Sequence, residues 1–128
     1  MVCKEFVGKR AESFPSESYR RELGALERCV GLPGLQQLRS TDPQRRMIWT
    51  EWGGEQLGER EVPDREEQAR VILGSLKKAG VRHNDISPIN LVMKDGKLTL
   101  IDFEWAIYEG SSEYCPPSLG GEYQASGS

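Results

Sequence analysis

The sequence predicts a small α+β fold, and three observations predict it. Residues 16–30 and 64–79 each carry apolar side chains at helical spacing. Asp95-Gly96 sits between two apolar runs, among the strongest short-range signals for a β-hairpin. Met47-Ile48-Trp49-Thr50-Glu51-Trp52 is rich in strand formers.

Size and charge set the outer limits. A chain of 128 residues can bury one modest core. Its 17 Lys+Arg against 20 Asp+Glu give a net charge of -3. That balance leaves no basic footprint for nucleic acid or for an anionic membrane surface. No apolar run approaches the length of a membrane span. Met1 to Arg10 lacks the apolar stretch of a secretory leader. Cys3, Cys29 and Cys115 are odd in number and widely spaced, which argues against a disulfide framework or zinc site and fits a reducing, cytoplasmic setting.

Taken in order, Val2-Cys3-Lys4 and Phe6-Val7 read as a short strand. In 16–30, Tyr19, Leu23, Leu26 and Val30 form an apolar stripe. Pro15 suits its first turn, Ser16 or Ser18 its cap, and Gly31, Pro33 and Gly34 its end. Leu35 to Leu38 is a weaker strand, Thr41-Asp42-Pro43 a turn, and Met47 to Trp52 the stronger strand. Gly53-Gly54 breaks it and reads as a hinge between two halves. In 64–79, Ala69, Ile72, Leu73, Leu76 and Ala79 recur at i, i+3, i+4, i+7 and i+10. Asp64 with Glu67 resembles a capping box, and Gly80 stands where a C-terminal glycine belongs. The hairpin follows: Leu91 to Lys94, the Asp95-Gly96 turn, then Lys97 to Ile101. The tail after Ile107 is rich in Gly, Ser and Pro and reads as a flexible segment.

The hairpin carries the chemistry. If Asp95-Gly96 is the turn, Lys94 faces Lys97, and counting back Asn90 faces Ile101, one residue before Asp102. Asp85 lies in the loop feeding the same open end. Two carboxylates and an amide oxygen converge there, and hard oxygen donors of this kind suit Mg²⁺, which takes waters and substrate phosphates as its other ligands.

His83-Asn84-Asp85-Ile86-Ser87-Pro88-Ile89-Asn90 matches H-x-D-x-x-x-x-N, and Asp102-Phe103-Glu104 matches D-F-x after a hairpin. In these motifs the chain resembles the protein-kinase-like phosphotransferases. The resemblance implies a reduced kinase-like fold. Residues 1–54 would be a partial N-lobe sheet plus helix with the hinge. Residues 55–110 would be a mostly helical partial C-lobe carrying the catalytic loop and hairpin, and 111–128 a tail like an activation segment. It implies ATP and Mg²⁺ as cofactors and an alcohol group as acceptor. Asp85 inherits the role of base, Asn90 and Asp102 hold Mg²⁺, and His83 anchors the loop. Thr50, Glu51 and Trp52 would meet adenine at the hinge. The helix 16–30 would be the family's αC. At 100° per residue, Glu22 lies about 60–70° off the centre of its apolar stripe, while Arg21 and Arg28 point away. Glu22 could then pair with a phosphate-binding lysine. Lys4 precedes it by a separation similar to the family's, and Lys9 competes less well.

The sequence also departs from the family. No G-x-G-x-x-G occurs, Asn84 stands where many protein kinases have Arg, and Glu104 takes the third place of D-F-x. Few residues follow Asp102, too few for the helical subdomain that holds peptide substrates. His-Asn-Asp with Ile-Asp-Phe-Glu-Trp-Ala is more similar to choline/ethanolamine kinases, aminoglycoside phosphotransferases and polysaccharide-linked kinase domains. That likeness favours a small-molecule, sugar or lipid-linked acceptor over a protein. Two alternatives stay open. One is a catalytically impaired module that binds nucleotide or a partner. The other is a piece of a larger or split kinase, completed by a partner chain or domain.

Overall fold

A computed structural model describes residues 1–6 and 13–108, the side chains of 13–16 excepted. Lys9, Val7, Cys115 and the tail from residue 111 lie outside the described residues.

Strand β1 (Val2–Glu5), β2 (Leu38–Asp42) and β3 (Met47–Thr50) form an antiparallel sheet with β3 at its centre. Residues along β3 alternate, with Ile48 and Thr50 buried and Met47 and Trp49 half-buried. Lys4 pairs with Ile48 and Val2 with Thr50. Cross-strand partners share a face, so Lys4 projects from the inner face of the sheet. The strand expected at Leu35 to Leu38 begins only at Leu38. Leu35 instead bridges Leu100, flanked by Leu100 N–H to Gly34 O (2.8 Å) and Gln36 N–H to Leu100 O (3.0 Å). Thr41 and Asp42 belong to β2 rather than to a turn. The reversal lies beyond them, where Asp42 Oδ1 accepts the Gln44 and Arg45 N–H groups.

Helix α1 (Ser13–Cys29) starts earlier than the Ser16 or Ser18 cap predicts, and Ser18 is buried inside it. Tyr19 and Leu26 are buried and Leu23 partly so, but Val30 falls past the end and is 56% exposed. Arg21, expected to point away, is buried. A second stripe, Ser18-Arg21-Ala25-Cys29, explains it: all four are buried at spacings of three and four. The helix is covered on two sides, so the single-stripe reading misassigns Arg21.

Helix α2 (Arg65–Ala79) matches the predicted 64–79, and Gly80 caps it in the left-handed region at φ 71°. The capping box does not form. Asp64 is itself left-handed (φ 48°) and its side chain makes no cap hydrogen bond. Gln68 is the anchor instead. Its Nε2 donates to Pro63 O and Gly96 O (2.7 Å each), and its Oε1 accepts Leu98 N–H (2.7 Å), fastening α2 to the hairpin.

The hairpin has the predicted register: β6 (Leu91–Lys94) against β7 (Lys97–Leu100), Lys94 opposite Lys97. Strand β4 (Glu55–Gln56) adds to β6, and β5 (Val81–Arg82) pairs with β8 (Ile107–Tyr108). Among the described residues, 55–108 are therefore not mostly helical: one helix, a 3₁₀ turn at Pro88–Asn90 and two small antiparallel sheets share them. One hydrophobic cluster draws on α1 (Leu26, Cys29), β3 (Ile48), α2 (Leu76), β7 (Leu100) and Phe103. Among the described residues no helix is long and apolar enough to cross a membrane.

Two glycines separate close approach from mere flexibility. Gly54 sits at φ 128°, and a Cβ there would lie 2.3 Å from Met93 O. Gly74 is helical with nothing within 4 Å of a built Cβ. Gly54→Ala should lower unfolding free energy by more than about 2 kcal/mol, and Gly74→Ala should raise it by about 0.5–1 kcal/mol. Urea unfolding of both variants checks the pair.

Candidate functional site

Lys4 is the meeting point. Its Nζ lies 2.8 Å from Glu22 Oε1, 3.3 Å from Asp102 Oδ1 and 3.5 Å from Glu104 Oε1, and 5.0 Å from the centre of the Phe6 ring. Strand β1 aims the ammonium inward and α1 supplies the buried Glu22. The turn after β7 brings Asp102 and Glu104 to the other side. Glu22 Oε2 also accepts the Phe103 N–H (3.4 Å), so one carboxylate holds both the lysine and the Asp102–Glu104 segment.

The loop before the hairpin is set by His83 and Asn90. His83 Nδ1 accepts the Asp85 N–H (3.1 Å), so Nε2 carries the proton and donates it to Ile101 O (2.9 Å). The ring is fully buried, edge-on to Phe103 at 4.8 Å. Asn90 O accepts the Ile101 N–H (2.9 Å). His83 and Asn90 thus both grip the residue before Asp102. Asn90 Nδ2 donates to Asp85 O (2.8 Å) and Asp85 Oδ2 (3.0 Å), which leaves its Oδ1 as an acceptor. Asp102 is left-handed (φ 67°), a conformation Asp tolerates better than most residues.

Thr50, Glu51 and Trp52 separate. Thr50 is buried and its Oγ1 accepts from Gln36 Nε2 (3.0 Å). Glu51 spends its N–H on Gln37 O (2.9 Å) and its carboxylate on Arg39 (3.0 Å). Trp52 is 49% exposed, its ring 5.4 Å from Lys94 Nζ.

Sequence reasoning missed three residues. Gln36 joins Thr50 to the site, because its Oε1 accepts the Asp102 N–H (3.2 Å). Arg21 Nε donates to Glu104 O (2.9 Å), and the guanidinium lies 5.2 Å from the Trp105 ring centre. Asn84, left-handed at φ 71°, donates from Nδ2 to Trp105 O (3.0 Å), while its Oδ1 is buried without a partner among the described residues. The second stripe of α1 is the signal that could have found Arg21. Gln36 and Asn84 leave none.

Two protein oxygens suit a hard cation here, one from Asp102 and Asn90 Oδ1. Among the described residues no three His, Cys, Asp or Glu side chains gather as a metal site. A carboxylate and an amide oxygen are the hard donors that Mg²⁺ takes, drawing its remaining ligands from water and phosphate. Burial works to lower the Lys4 pKa, but Glu22, Asp102 and Glu104 outweigh it and hold the ammonium above its ordinary value. Burial raises the Glu22 carboxyl, with Lys4 pulling against it. The Cys29 thiol is pushed up to about 12 by burial, which makes it inert.

No protein-family model matches the chain. The chain is 33% identical over 76 aligned residues to the Aurora kinase of Encephalitozoon cuniculi (strain GB-M1), a match that takes in 52% of this chain and 28% of that protein. The chain thus spans under a third of that relative's length. The match supports a distant protein-kinase-like relationship, and the mixed helices and small antiparallel sheets are compatible with it.

The single histidine makes the loop measurable. Burial lowers the His83 pKa below its ordinary 6.5, against the pull of Ile101 O and the nearby carboxylates. A base depressed in the folded state is protonated first in the unfolded chain. Stability therefore falls as pH drops from 6.5 towards the folded value, by at most about 1.4 kcal/mol per pH unit. NMR should show the imidazole ring shifts titrating below the ordinary 6.5. A half-titrated ring at its ordinary pKa would contradict the buried Nε2–H arrangement.

Proposed function

We propose that this chain is a kinase-like phosphotransferase unit that binds ATP with Mg²⁺ and moves the γ-phosphate to a hydroxyl acceptor. The observation that carries it is the threefold contact of Lys4 with Glu22, Asp102 and Glu104. Strand, helix and post-hairpin turn deliver a lysine, its acidic partner and a candidate metal aspartate to one point.

The roles follow from what each group can reach. Lys4, held by Glu22, presents its ammonium to phosphate oxygens. Asp102 and Asn90 Oδ1 are the cation's protein ligands, and the bound cation supplies charge neutralisation on the phosphates. Asp85 has one oxygen held by Asn90 and is half-buried, so its other oxygen can accept the proton of the attacking hydroxyl. His83 and Gln36 position the backbone on either side of Asp102. The likeness to small-molecule kinases in 83–85 and 101–106 favours a small, sugar or lipid-linked alcohol as acceptor.

One feature favours a second reading, a module that binds nucleotide without transfer. Glu104 adds a carboxylate 3.5 Å from Lys4, where it competes with phosphate for the ammonium. Thermal melting and turnover separate the two. ATP with Mg²⁺ should raise Tm by about 5 °C at saturating ligand, and ATP alone much less. Asp102→Asn, which tolerates the left-handed backbone, should abolish the Mg²⁺-dependent rise. Asp85→Asn should keep the rise and cut turnover about 100-fold or more. A wild type that melts unchanged with ATP and Mg²⁺ overturns both readings. A rise with no turnover selects the binding module, and turnover that survives Asp85→Asn removes Asp85 as the base.

A further inference from the structure

A groove of about 1140 Å³ runs between the 57–64 loop, the first half of α2 and the residues just after Asp85. Its floor is apolar, with Leu57, Val62, Ile72, Leu73, Ile86 and Pro88. Leu73 and Ile86 are 39% and 40% exposed.

The rim has a definite sign. Glu59, Glu61, Asp64, Glu66 and Glu67 line it against Arg60, Arg65 and Arg70. Two of these guanidiniums are already engaged. Arg60 donates to the main-chain oxygens of Glu55, Gln56 and Leu57, and Arg70 pairs with Glu67. Among the described residues the side chains of Glu59, Glu61, Asp64 and Glu66 enter no ion pair. An apolar trough edged by five carboxylates against three guanidiniums, a net negative rim, selects an occupant with an apolar face and flanking cations.

We propose that this groove docks a basic amphipathic segment of a partner protein, its apolar face on Leu73 and Ile86 and its Lys or Arg side chains over Glu59, Glu61 and Glu66. The charge argument excludes the nearer occupants. Residues 109–128 contain Glu109, Glu113 and Glu122 and no Lys, Arg or His, so the chain's own continuation brings like charge. A second copy carries net charge -3. Ile86 and Pro88 belong to the loop of Asp85, so the docked segment lies alongside the candidate site. The proposal goes beyond phosphotransfer and requires no nucleotide.

Fluorescence anisotropy on the full chain tests it. The probe is a labelled amphipathic Lys/Leu helix, with a scrambled Lys/Leu peptide and an amphipathic Glu/Leu peptide as controls. The basic helix should bind at least about tenfold tighter than either control and weaken as salt rises. Leu73→Asn and Glu59→Lys/Glu61→Lys should each lose about tenfold, with circular dichroism unchanged. Glu59→Gln/Glu61→Gln, two neutral changes in an exposed loop, should lose a smaller part and covers the case in which charge reversal disturbs folding. Equal binding of all three peptides overturns the proposal, as does affinity indifferent to the groove substitutions. Binding gained on removing residues 109–128 would seat the chain's own continuation in the groove, and self-association abolished by Leu73→Asn would seat a second copy. Either result also overturns it. A chain that fails to bind ATP leaves this outcome untouched.

Discussion

The structure around the site depends on a buried carboxylate that must be compensated. Glu22 is 2% exposed in the middle of α1. An isolated anion at such a position is strongly disfavoured, and it persists only with a partner and with hydrogen bonds to its remaining lone pairs. Both are supplied from far along the chain. Lys4 of β1 provides the charge and the Phe103 N–H the second bond. The compensation draws β1, α1 and the segment after β7 to one place. Removing Lys4 leaves the Glu22 carboxylate buried without its countercharge, whereas Lys4 without Glu22 still faces Asp102 and Glu104. The contact therefore specifies arrangement more than it adds net stability.

Around that point α1 works on two sides. Its Tyr19 and Leu26 side packs into the shared core, with Tyr19 edge-on to Phe6 and hydrogen-bonded to Thr41. Its Arg21 side grips the Glu104 carbonyl and lies by Trp105. The same helix thus positions the lysine through Glu22 and the Asp102–Trp105 backbone through both Arg21 and Glu22. From the opposite direction His83 and Asn90 hold Ile101. Asp102 is pinned from both neighbours, and this offsets its left-handed backbone.

This division explains what was legible in the sequence. Signals that act within a few residues read correctly. The Asp95-Gly96 turn gave the hairpin register, Gly80 the end of α2, and the strand formers around Ile48 the central strand. Glu22 at the edge of the stripe and Lys4 at a family-like separation were legible through the resemblance, and the structure brings those two together. What failed depended on partners distant in sequence. Leu35 left its expected strand because Leu100 claimed it. The Asp64 cap gave way to Gln68 reaching across to the hairpin. Arg21 was misread because a one-sided amphipathic pattern cannot show a second covering segment. Gln36, which joins Thr50 to Asp102, has no local signature at all.

The departure at Glu104 changes the electrostatics of the cluster. One ammonium faces Glu22, Asp102 and Glu104, so the cluster carries a net negative charge in the ionised state. Asp102 and Glu104 are only partly screened by protein, at 39% and 28% side-chain exposure. Under the proposed function, an incoming polyphosphate alone meets more repulsion than attraction at this point. It can settle only with a cation that takes the Asp102 charge and frees Lys4 for the phosphate oxygens. Glu104 strengthens that condition, since it competes for the same ammonium until the balance is reversed. A glycine at that position would lack the competing charge. Under the proposed function, the third residue of the D-F-x motif therefore sets how strictly nucleotide and cation must arrive together.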